Sequence, residues 1–243
     1  MRTRNGFIGV VPQQDSTTGN SGVLSVNSHN IEKSRNNLKS LDLPPASHGL
    51  RLFLDAGQEA SYTSGSTWTD ISGNGRNATL YNVSHTTATP SYFNLTTSFS
   101  FATPANTLGS SNSSVSMVIK TGDSQSMLVT DDGNQDYLGA YRSGNAYYHN
   151  NVGGGKNLYI NGTSQTNLYS TIRTNNSLLV TVTDCDFSFG SNRFVFNTYG
   201  SFQFGDGRLY AVVVHDGNLS SSQVTDLYNW FNSRGYINAW VGY

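Results

Sequence analysis

The chain has 243 residues, a formal net charge of −1 and only 12% charged residues. That length is enough to bury a sizeable core, and such sparse, balanced charge excludes the basic surface of a nucleic-acid-binding protein. The polarity comes from Ser, Thr, Asn and 25 Gly, which together with 14 Tyr is typical of an all-β protein with many tight turns. No apolar run is long enough to span a bilayer, so we expect no membrane insertion.

Residues 1–47 differ from the rest of the chain. They contain few aromatic residues and end in LDLPPASHG, where two prolines oppose regular structure. Such a segment is too poor in apolar surface to fold alone. It is either a disordered tail or an extended N-terminal arm that docks on a partner. The anchors of such a docking arm would be its apolar residues, Phe7, Ile8, Val10, Val11 and Leu24.

Residues 48–243 show strands separated by turns. In SYFNLTTSFSFA apolar and polar residues alternate, which predicts a single half-buried strand over 91–102. RLYAVVVH is apolar on both faces and predicts a central strand that is covered on both sides. The other predicted strands lie at 50–56, 115–121, 126–131, 136–142, 145–150, 157–160, 177–184 and 192–198. The dipeptide NG at 161–162 and RSGN at 142–145 predict hairpin turns.

The segment LSSSQVTDLYNWFNSRGY predicts one helix near the C-terminus. Ser220 and Gln223 have the spacing of an N-terminal capping box. Apolar residues then recur at helical spacing, and Gly235 predicts the C-terminal end. The predicted buried face consists of Val224, Leu227, Tyr228 and Phe231.

The stretch DISGNGRNATLYN, residues 70–82, follows Trp68 and is rich in small polar residues. We expect Trp68 and Ile71 to turn inward. The polar residues between them predict a turn in which side-chain oxygens accept backbone N–H groups and glycines supply positive φ. A metal or ligand loop is the alternative. The turn residues are Asp70, Ser72, Gly73, Asn74 and Gly75.

Two segments carry a family resemblance. LFLDAGQEASYTSGSTWTDISGNGRNATLYN (52–82) resembles the opening of a concanavalin A-like lectin/glucanase jelly roll of the laminin-G-like subgroup. GRLYAVVVHDGNLSSSQVTDLYNWFNSRGY (207–236) is similar to the last core strand and closing helix of that family. The resemblance implies an all-β, concanavalin A-like antiparallel jelly-roll sandwich with one C-terminal helix. It says little about function, because this fold hosts many activities.

These two ends also resemble domains of tailed-phage virion structural proteins. In the arm, SGVLSVNSHNIEKSR (21–35) is similar to a Gly-Val-(Trp/Phe)-Ser-Leu-Asn stretch of phage structural proteins, although Leu24 stands in place of the aromatic residue. The resemblance implies a phage virion protein, a capsid, neck or tail decoration, fibre or knob located in the virion. Its arm would bind other virion proteins. A homo-oligomer, specifically a trimer, follows by analogy alone.

The candidate sites for chemistry are sparse. The family's glucanases place acid and nucleophile as Glu-x-Asp-x-x-Glu on one strand, whereas this chain has only Glu32 and Glu59, neither with that spacing. Asp184 and Asp186 could form an alternative catalytic pair of carboxylates. The simpler interpretation is that they lie at the solvated end of a strand. We therefore expect that the chain is not an enzyme and binds no cofactor. One loop could bind Ca²⁺ through carboxylate and amide oxygens, although it lacks a closing Glu; its residues are Asp131, Asp132, Asn134 and Asp136.

One predicted hairpin, YLGAYRSGNAYYHNN, combines aromatic rings with amides, which is the pairing that sugar recognition needs. Aromatic cross-strand pairs also stabilise sheets without binding anything. The glycan-binding candidates are Tyr137, Tyr141, Tyr147, Tyr148 and Asn150. The sequence thus favours a virion structural protein whose exposed jelly roll contacts host-surface glycan. A free carbohydrate-binding module is the first alternative, and a glycan-cleaving enzyme is the second.

Overall fold

The computed structural model of the chain forms two compact units, Met1–Asp42 and Leu43–Tyr243. It describes residues 12–14, 21–23, 42–45, 49–95, 101–104, 112–120, 126–131, 137–140, 146–148, 157–165, 176–185, 192–195 and 207–237. In the first unit, β1 (Pro12–Gln14) and β2 (Ser21–Val23) pair antiparallel. The five predicted anchor residues of the arm lie outside the described residues, so the docking arm and its boundary at residue 47 stay predictions.

The second unit is built of strands and a single described helix. Its strands up to residue 131 are β3 (Leu50–Asp55), β4 (Thr67–Trp68), β5 (Ala78–Tyr81), β6 (Ser84–Thr86), β7 (Tyr92–Leu95), β8 (Phe101–Pro104), β9 (Ser113–Lys120) and β10 (Ser126–Asp131). The remaining elements are β11 (Tyr137–Ala140), β12 (Ala146–Tyr148), β13 (Asn157–Ile160), β14 (Thr163–Gln165), β15 (Leu178–Cys185), β16 (Asn192–Val195), β17 (Gly207–Asp216) and the helix α1 (Ser221–Ser233).

These strands form two antiparallel sheets. The central sheet has the order β14-β13-β15-β9-β17-β7-β6, and β3 also pairs with β17. The outer sheet has the order β12-β11-β10-β16-β8-β5-β4. Within the described residues the fold is therefore an all-β, antiparallel jelly-roll sandwich with a C-terminal helix, as the sequence predicts. Strand β17 is central: it pairs with β9 on one side and with β3 and β7 on the other.

Two hydrophobic clusters cover the two faces of the central sheet. Alternate residues of β17 divide between them: Val212 and Val214 join the cluster that includes Trp68 of β4. Ala211 and Val213 join the cluster that includes Phe231 of α1. The first cluster therefore packs the central sheet against the outer sheet, and the second packs it against the helix. This arrangement confirms that β17 is covered on both sides.

The helix begins and ends as predicted. The Ser220 hydroxyl accepts the Gln223 backbone N–H, and the Gln223 side chain accepts the Ser220 N–H, which completes the capping box. Gly235 follows the last turn with φ of +74°, a conformation in which glycine has no Cβ penalty. The buried residues of the helix are Val224, Leu227 and Phe231, whereas Tyr228 is half-buried.

A buried carboxylate ties the start of the sandwich to the segment after the helix. Asp55, at the end of β3, accepts the Tyr236 hydroxyl at 2.7 Å, the Gly57 N–H at 2.8 Å and the Gln58 side-chain amide at 3.0 Å. The Ser177 hydroxyl donates to the Tyr236 carbonyl oxygen at 2.6 Å. These bonds hold the chain after α1 against the edge of the central sheet.

One sequence prediction about strands is wrong, and some short strands were not predicted. Residues 91–102 are not a single strand, because β7 belongs to the central sheet and β8 to the outer sheet. Alternation persists across such a crossover, since both sheets turn one face to the same core. The short strands β4, β5 and β6 were also missed, because the Gly- and Asn-rich turn beside them dominates the local pattern. The NG turn is confirmed: Asn161 and Gly162 have φ of +50° and +79° between β13 and β14.

Candidate functional site

The outer sheet turns one face to the core and the other to solvent. Along β5, Ala78 and Leu80 are buried, whereas Thr79 is exposed and Tyr81 is 44% exposed. Successive strand residues point to opposite faces, so Tyr81 marks the face that the core does not cover. Exposure of a large aromatic ring makes this solvent-side face the first candidate for a binding surface.

The strand register shows which residues of the neighbouring strands β8 and β16 take positions on this same face. Tyr81 pairs with Phe101 of β8, and Phe101 pairs with Val195 of β16. Directly paired residues of an antiparallel ladder occupy the same face. Arg193 lies two residues before Val195 on the same strand and therefore shares that face.

The same register reaches the far edge of the sheet. Arg193 pairs with Thr130 of β10, which pairs with Tyr137 of β11. Gly139, two residues beyond Tyr137, pairs with Tyr147 of β12. Tyr81, Tyr137 and Tyr147 thus occupy positions on one face of the outer sheet, together with Arg193 and Thr130. We call this face the tyrosine face.

The register separates two of the predicted glycan-binding residues. Tyr148 pairs with Leu138 and alternates with Tyr147 along β12, so the two residues take positions on opposite faces of the strand. The role of Tyr148 in glycan binding, like that of Tyr147, stays a prediction. The two remaining candidates, Tyr141 and Asn150, lie outside the described residues and stay predictions.

Sequence reasoning missed Tyr81. The residue lies at the end of the turn-rich stretch 70–82, and its strand was not recognised. The signal was present in Ala-Thr-Leu-Tyr, where two apolar core residues alternate with Thr79 and Tyr81.

The proposed Ca²⁺ loop is only partly within the structure. Asp131 is the last residue of β10 and pairs with Asn192. Asp132, Asn134 and Asp136 lie outside the described residues, so the Ca²⁺ site stays a prediction. Elsewhere in the described part of the chain, no group of three or more His, Cys, Asp or Glu side chains is placed to hold a metal ion.

The stretch beginning at Asp70 is a self-capped turn, as the sequence predicts. The Asp70 carboxylate is buried and accepts three backbone N–H groups: Phe53 at 3.0 Å, Ser72 at 2.9 Å and Arg76 at 2.9 Å. Gly73 and Gly75 supply φ of +90° and +69°. The hydrogen bonds occupy the carboxylate from the protein side, which favours the structural turn over the metal loop.

The same turn covers the open edge of β3. The Asn74 side-chain amide donates to the carbonyl oxygens of Leu50 and Arg51 at 2.8 and 3.1 Å. The Phe53 N–H is bound by Asp70, and the Phe53 carbonyl accepts the Ile71 N–H at 2.9 Å. Backbone groups that a neighbouring strand would satisfy are therefore satisfied by the turn, which blocks edge-to-edge pairing.

The candidate catalytic carboxylates do not form a pair within the described residues. Asp184 has φ of +65° and accepts the Asn218 side-chain amide at 3.2 Å. Glu59 is exposed on the loop after β3. Asp186 and Glu32 lie outside the described residues.

No family model and no curated protein matches the sequence. Among solved structures, the chain is similar to the binding domain of Paraclostridial Mosquitocidal Protein 1, with a TM-score of 0.50, 14% identity and coverage of 75% of this chain and 52% of that one. The binding domain of botulinum neurotoxin serotype D has a TM-score of 0.49, 14% identity and coverage of 75% and 52%. The Trypanosoma rangeli sialidase has a TM-score of 0.47, 13% identity and coverage of 84% and 38%.

At these identities the similarity concerns the β-sandwich fold. The chain spans about half the length of the two toxin domains and less than two fifths of the sialidase. The helix α1, the one helix in the described ranges, is too short to cross a membrane.

Proposed function

We propose that the chain is a carbohydrate-binding β-sandwich module that binds glycan on the tyrosine face. The observation that carries this proposal is the exposed ring of Tyr81. The strand register gives Tyr137 and Tyr147 positions on the same face of the outer sheet. An extended sheet face suits a saccharide chain because several sugar rings can lie along it at once. Binding, and not catalysis, is the expected activity.

Aromatic rings and polar groups have separate roles on such a face. The C–H face of a pyranose is apolar and packs on an aromatic ring, whereas its hydroxyl groups need hydrogen-bond partners. In the strand register, the positions of Arg193 and Thr130 lie between those of Tyr81 and Tyr137, and both residue types can form hydrogen bonds. Each contact is weak, and affinity for a surface comes from several chains binding together.

The similarity to a toxin binding domain supports this proposal at the level of architecture. The mosquitocidal-protein structure, which has a TM-score of 0.50, is that of a binding domain. A β-sandwich therefore serves as a module for binding in that protein, and we propose the same use here.

Substitution of Tyr81 tests the proposal directly. Full-length protein is applied to an array of bacterial surface polysaccharides and oligosaccharides, and bound protein is measured by fluorescence. Tyr81→Ala is expected to lower the affinity for the best glycan by roughly tenfold, since an aromatic contact contributes about 1 kcal/mol or more. Tyr81→Phe keeps the ring and is expected to bind within about threefold of the wild type, if stacking is the main contribution.

Thermal unfolding of both variants provides the control. Tyr81 is exposed, so neither substitution is expected to lower the thermal midpoint by more than a few degrees. Retention of full glycan affinity by Tyr81→Ala would move the site away from the tyrosine face. An absence of glycan binding by the wild type across the array would overturn the proposed function.

We further propose that the chain is a structural protein of a tailed-phage virion, in which the segment 1–47 docks on capsid, neck or tail proteins. The support is the resemblance of the two ends of the sandwich and of SGVLSVNSHNIEKSR to phage structural proteins. The separate compact unit Met1–Asp42 is compatible with an attachment segment. The assembled form would be a homotrimer, and the sandwich would face the host.

A sedimentation assay tests this assignment. Purified chain is mixed with particles of the source virus that lack it, and protein that sediments with the particles is quantified. A full-length variant with Phe7, Val10 and Val11 each changed to Ser is the matched comparison. We expect the wild type to sediment with the particles and the variant to stay in solution. Equal sedimentation of both proteins would refute docking through these arm residues, whereas sedimentation of neither would favour the free carbohydrate-binding module.

A further inference from the structure

Asn74 and Gly75 form an Asn-Gly dipeptide on the self-capped turn, and both residues are exposed. An asparagine side chain can react with the backbone nitrogen of the next residue when that residue is glycine, because no Cβ atom hinders the approach. The chain contains two further Asn-Gly dipeptides. One, at 5–6, lies outside the described residues, and the other, at 161–162, forms the turn between β13 and β14. The structure therefore allows a comparison between two chemically equal dipeptides.

The backbone at Gly75 has room to rearrange. A Cβ atom placed on Gly75 would meet no heavy atom of the described residues within 4 Å. Within the same residues, the Gly75 N–H donates no hydrogen bond. The Asn74 side-chain amide donates to three acceptors through exposed hydrogen bonds: the carbonyl oxygens of Leu50 and Arg51 and the Ser72 hydroxyl. Water replaces exposed hydrogen bonds at little cost, so a small local opening brings the nitrogen and the side-chain carbonyl carbon together.

The turn at Asn161 and Gly162 lacks this freedom. The Asn161 side-chain oxygen accepts the Leu179 N–H at 2.9 Å, in a part-buried hydrogen bond. A Cβ atom placed on Gly162 would lie 3.4 Å from the Thr225 Cα and 3.4 Å from the Tyr228 Cβ, because α1 packs against this turn. The same reaction at Asn161 must therefore break a part-buried hydrogen bond and move the turn away from the helix.

We propose that Asn74 is a site of spontaneous deamidation and that the product uncovers the edge of β3. The Gly75 backbone nitrogen attacks the Asn74 Cγ and gives its proton to hydroxide or a buffer base. The Asn74 Nδ2 takes a proton from water and leaves as ammonia, so that a succinimide ring remains. Water then opens the ring at either carbonyl carbon and yields aspartate or isoaspartate at position 74. The reaction consumes one water and releases one ammonia, without an oxidant or other reactant.

The product changes the contacts of the turn with β3. The Asn74 amide donates to the Leu50 carbonyl at 2.8 Å and to the Arg51 carbonyl at 3.1 Å. A carboxylate has no N–H to donate, and its charge repels those carbonyl oxygens. In isoaspartate the main chain also passes through the side-chain carbon, which lengthens the turn. The two carbonyl groups lose these donors, and this part of the β3 edge opens to water or to another strand.

Incubation of the full-length protein at mildly alkaline pH, followed by peptide mapping with mass spectrometry, tests the modification site. Asn74 is expected to convert about tenfold faster than Asn161 in the same molecules, since one additional part-buried hydrogen bond must break at Asn161. A synthetic peptide of residues 70–82 gives the rate without the fold. Asn74→Gln is the matched control: it keeps the amide but would need a larger ring, so position 74 should stay unmodified while Asn161 reacts as before.

The effect on β3 is tested separately. Anion exchange isolates the deamidated protein by its added negative charge, and its urea midpoint is expected to lie below that of the unreacted protein. Asn74→Asp should lower the midpoint in the same direction. It is expected to fold, because the Asp70 carboxylate keeps its three N–H donors.

Two results would overturn the proposal. Conversion at Asn161 as fast as at Asn74, or no conversion at Asn74 in the time in which the peptide reacts completely, would remove the modification site. Equal midpoints for deamidated and unreacted protein would show that the amide does not hold the β3 edge. Neither result bears on glycan binding, because β3 belongs to the central sheet and the tyrosine face to the outer sheet.

Discussion

Replacement of Asp70 by alanine measures how much the self-capped turn contributes to stability. The substitution removes the acceptor of three backbone N–H groups, at 2.9 to 3.0 Å. The Phe53 N–H lies on a buried strand, and leaving it unsatisfied costs about 1–3 kcal/mol. The N–H groups of Ser72 and Arg76 are nearer the surface and can bind water, at a loss of about 0.5–1.5 kcal/mol each. The expected loss is therefore about 4 kcal/mol.

Replacement of Asp70 by asparagine is expected to cause only part of this loss of stability. Asp70→Asn keeps one oxygen for Phe53 and Ser72 but directs an NH₂ group at the Arg76 N–H, so two donors face each other. About 2 kcal/mol is expected, from one charge-assisted hydrogen bond lost. The expected order of stability is wild type, then Asp70→Asn, then Asp70→Ala. This order is a sharper test than either free-energy value alone.

Urea unfolding followed by tryptophan fluorescence is the assay, since Trp68 is fully buried beside this turn. A loss of 4 kcal/mol should lower the midpoint by on the order of 1–2 M urea with an unchanged slope. Asp226→Ala, an exposed position on α1, is the control and should leave the midpoint in place.

A midpoint for Asp70→Ala close to that of the wild type would refute the reasoning. Chelation of divalent cations discriminates against the metal-loop alternative. If EDTA destabilised the wild type and left Asp70→Ala unaffected, a cation, and not the turn's own hydrogen bonds, would account for the effect of the carboxylate.

Three further substitutions test the contacts that hold the sandwich together. Tyr236→Phe removes the hydroxyl that Asp55 accepts at 2.7 Å and is expected to cost about 2 kcal/mol in chemical denaturation. Phe231→Ala empties a fully buried site under the helix and should cost about 3–5 kcal/mol, with a smaller loss pointing to collapse around the site. Ser220→Ala breaks the capping box with Gln223 and is expected to lower stability by about 1 kcal/mol, whereas Ser220→Asp should restore most of it.

The tyrosine face shows how far the candidate site was predictable. Tyr137 and Tyr147 were selected from the sequence as aromatic residues beside amides, and register places them on one face. Tyr148 was selected for the same reason and takes the other face. A local pattern identifies residue types, but it does not relate one strand to a distant one. Tyr81 joins the face through β8, β16 and β10, none of which is its neighbour in sequence.

The sequence by itself determined the features that depend on residues a few positions apart. These are the β class, the capping box and end of α1, the NG turn and the self-capped turn at Asp70. Their causes are local: alternation, side-chain capping and the positive φ that glycine accepts.

Only the tertiary structure decided which strands pair, that 91–102 divides between two sheets, and that Asn74 covers the edge of β3. The hydrogen bond from the Tyr236 hydroxyl to the Asp55 carboxylate joins residues 181 positions apart. Such contacts form when two strands or segments bury a common apolar surface, and that choice depends on the free energy of the whole packed core.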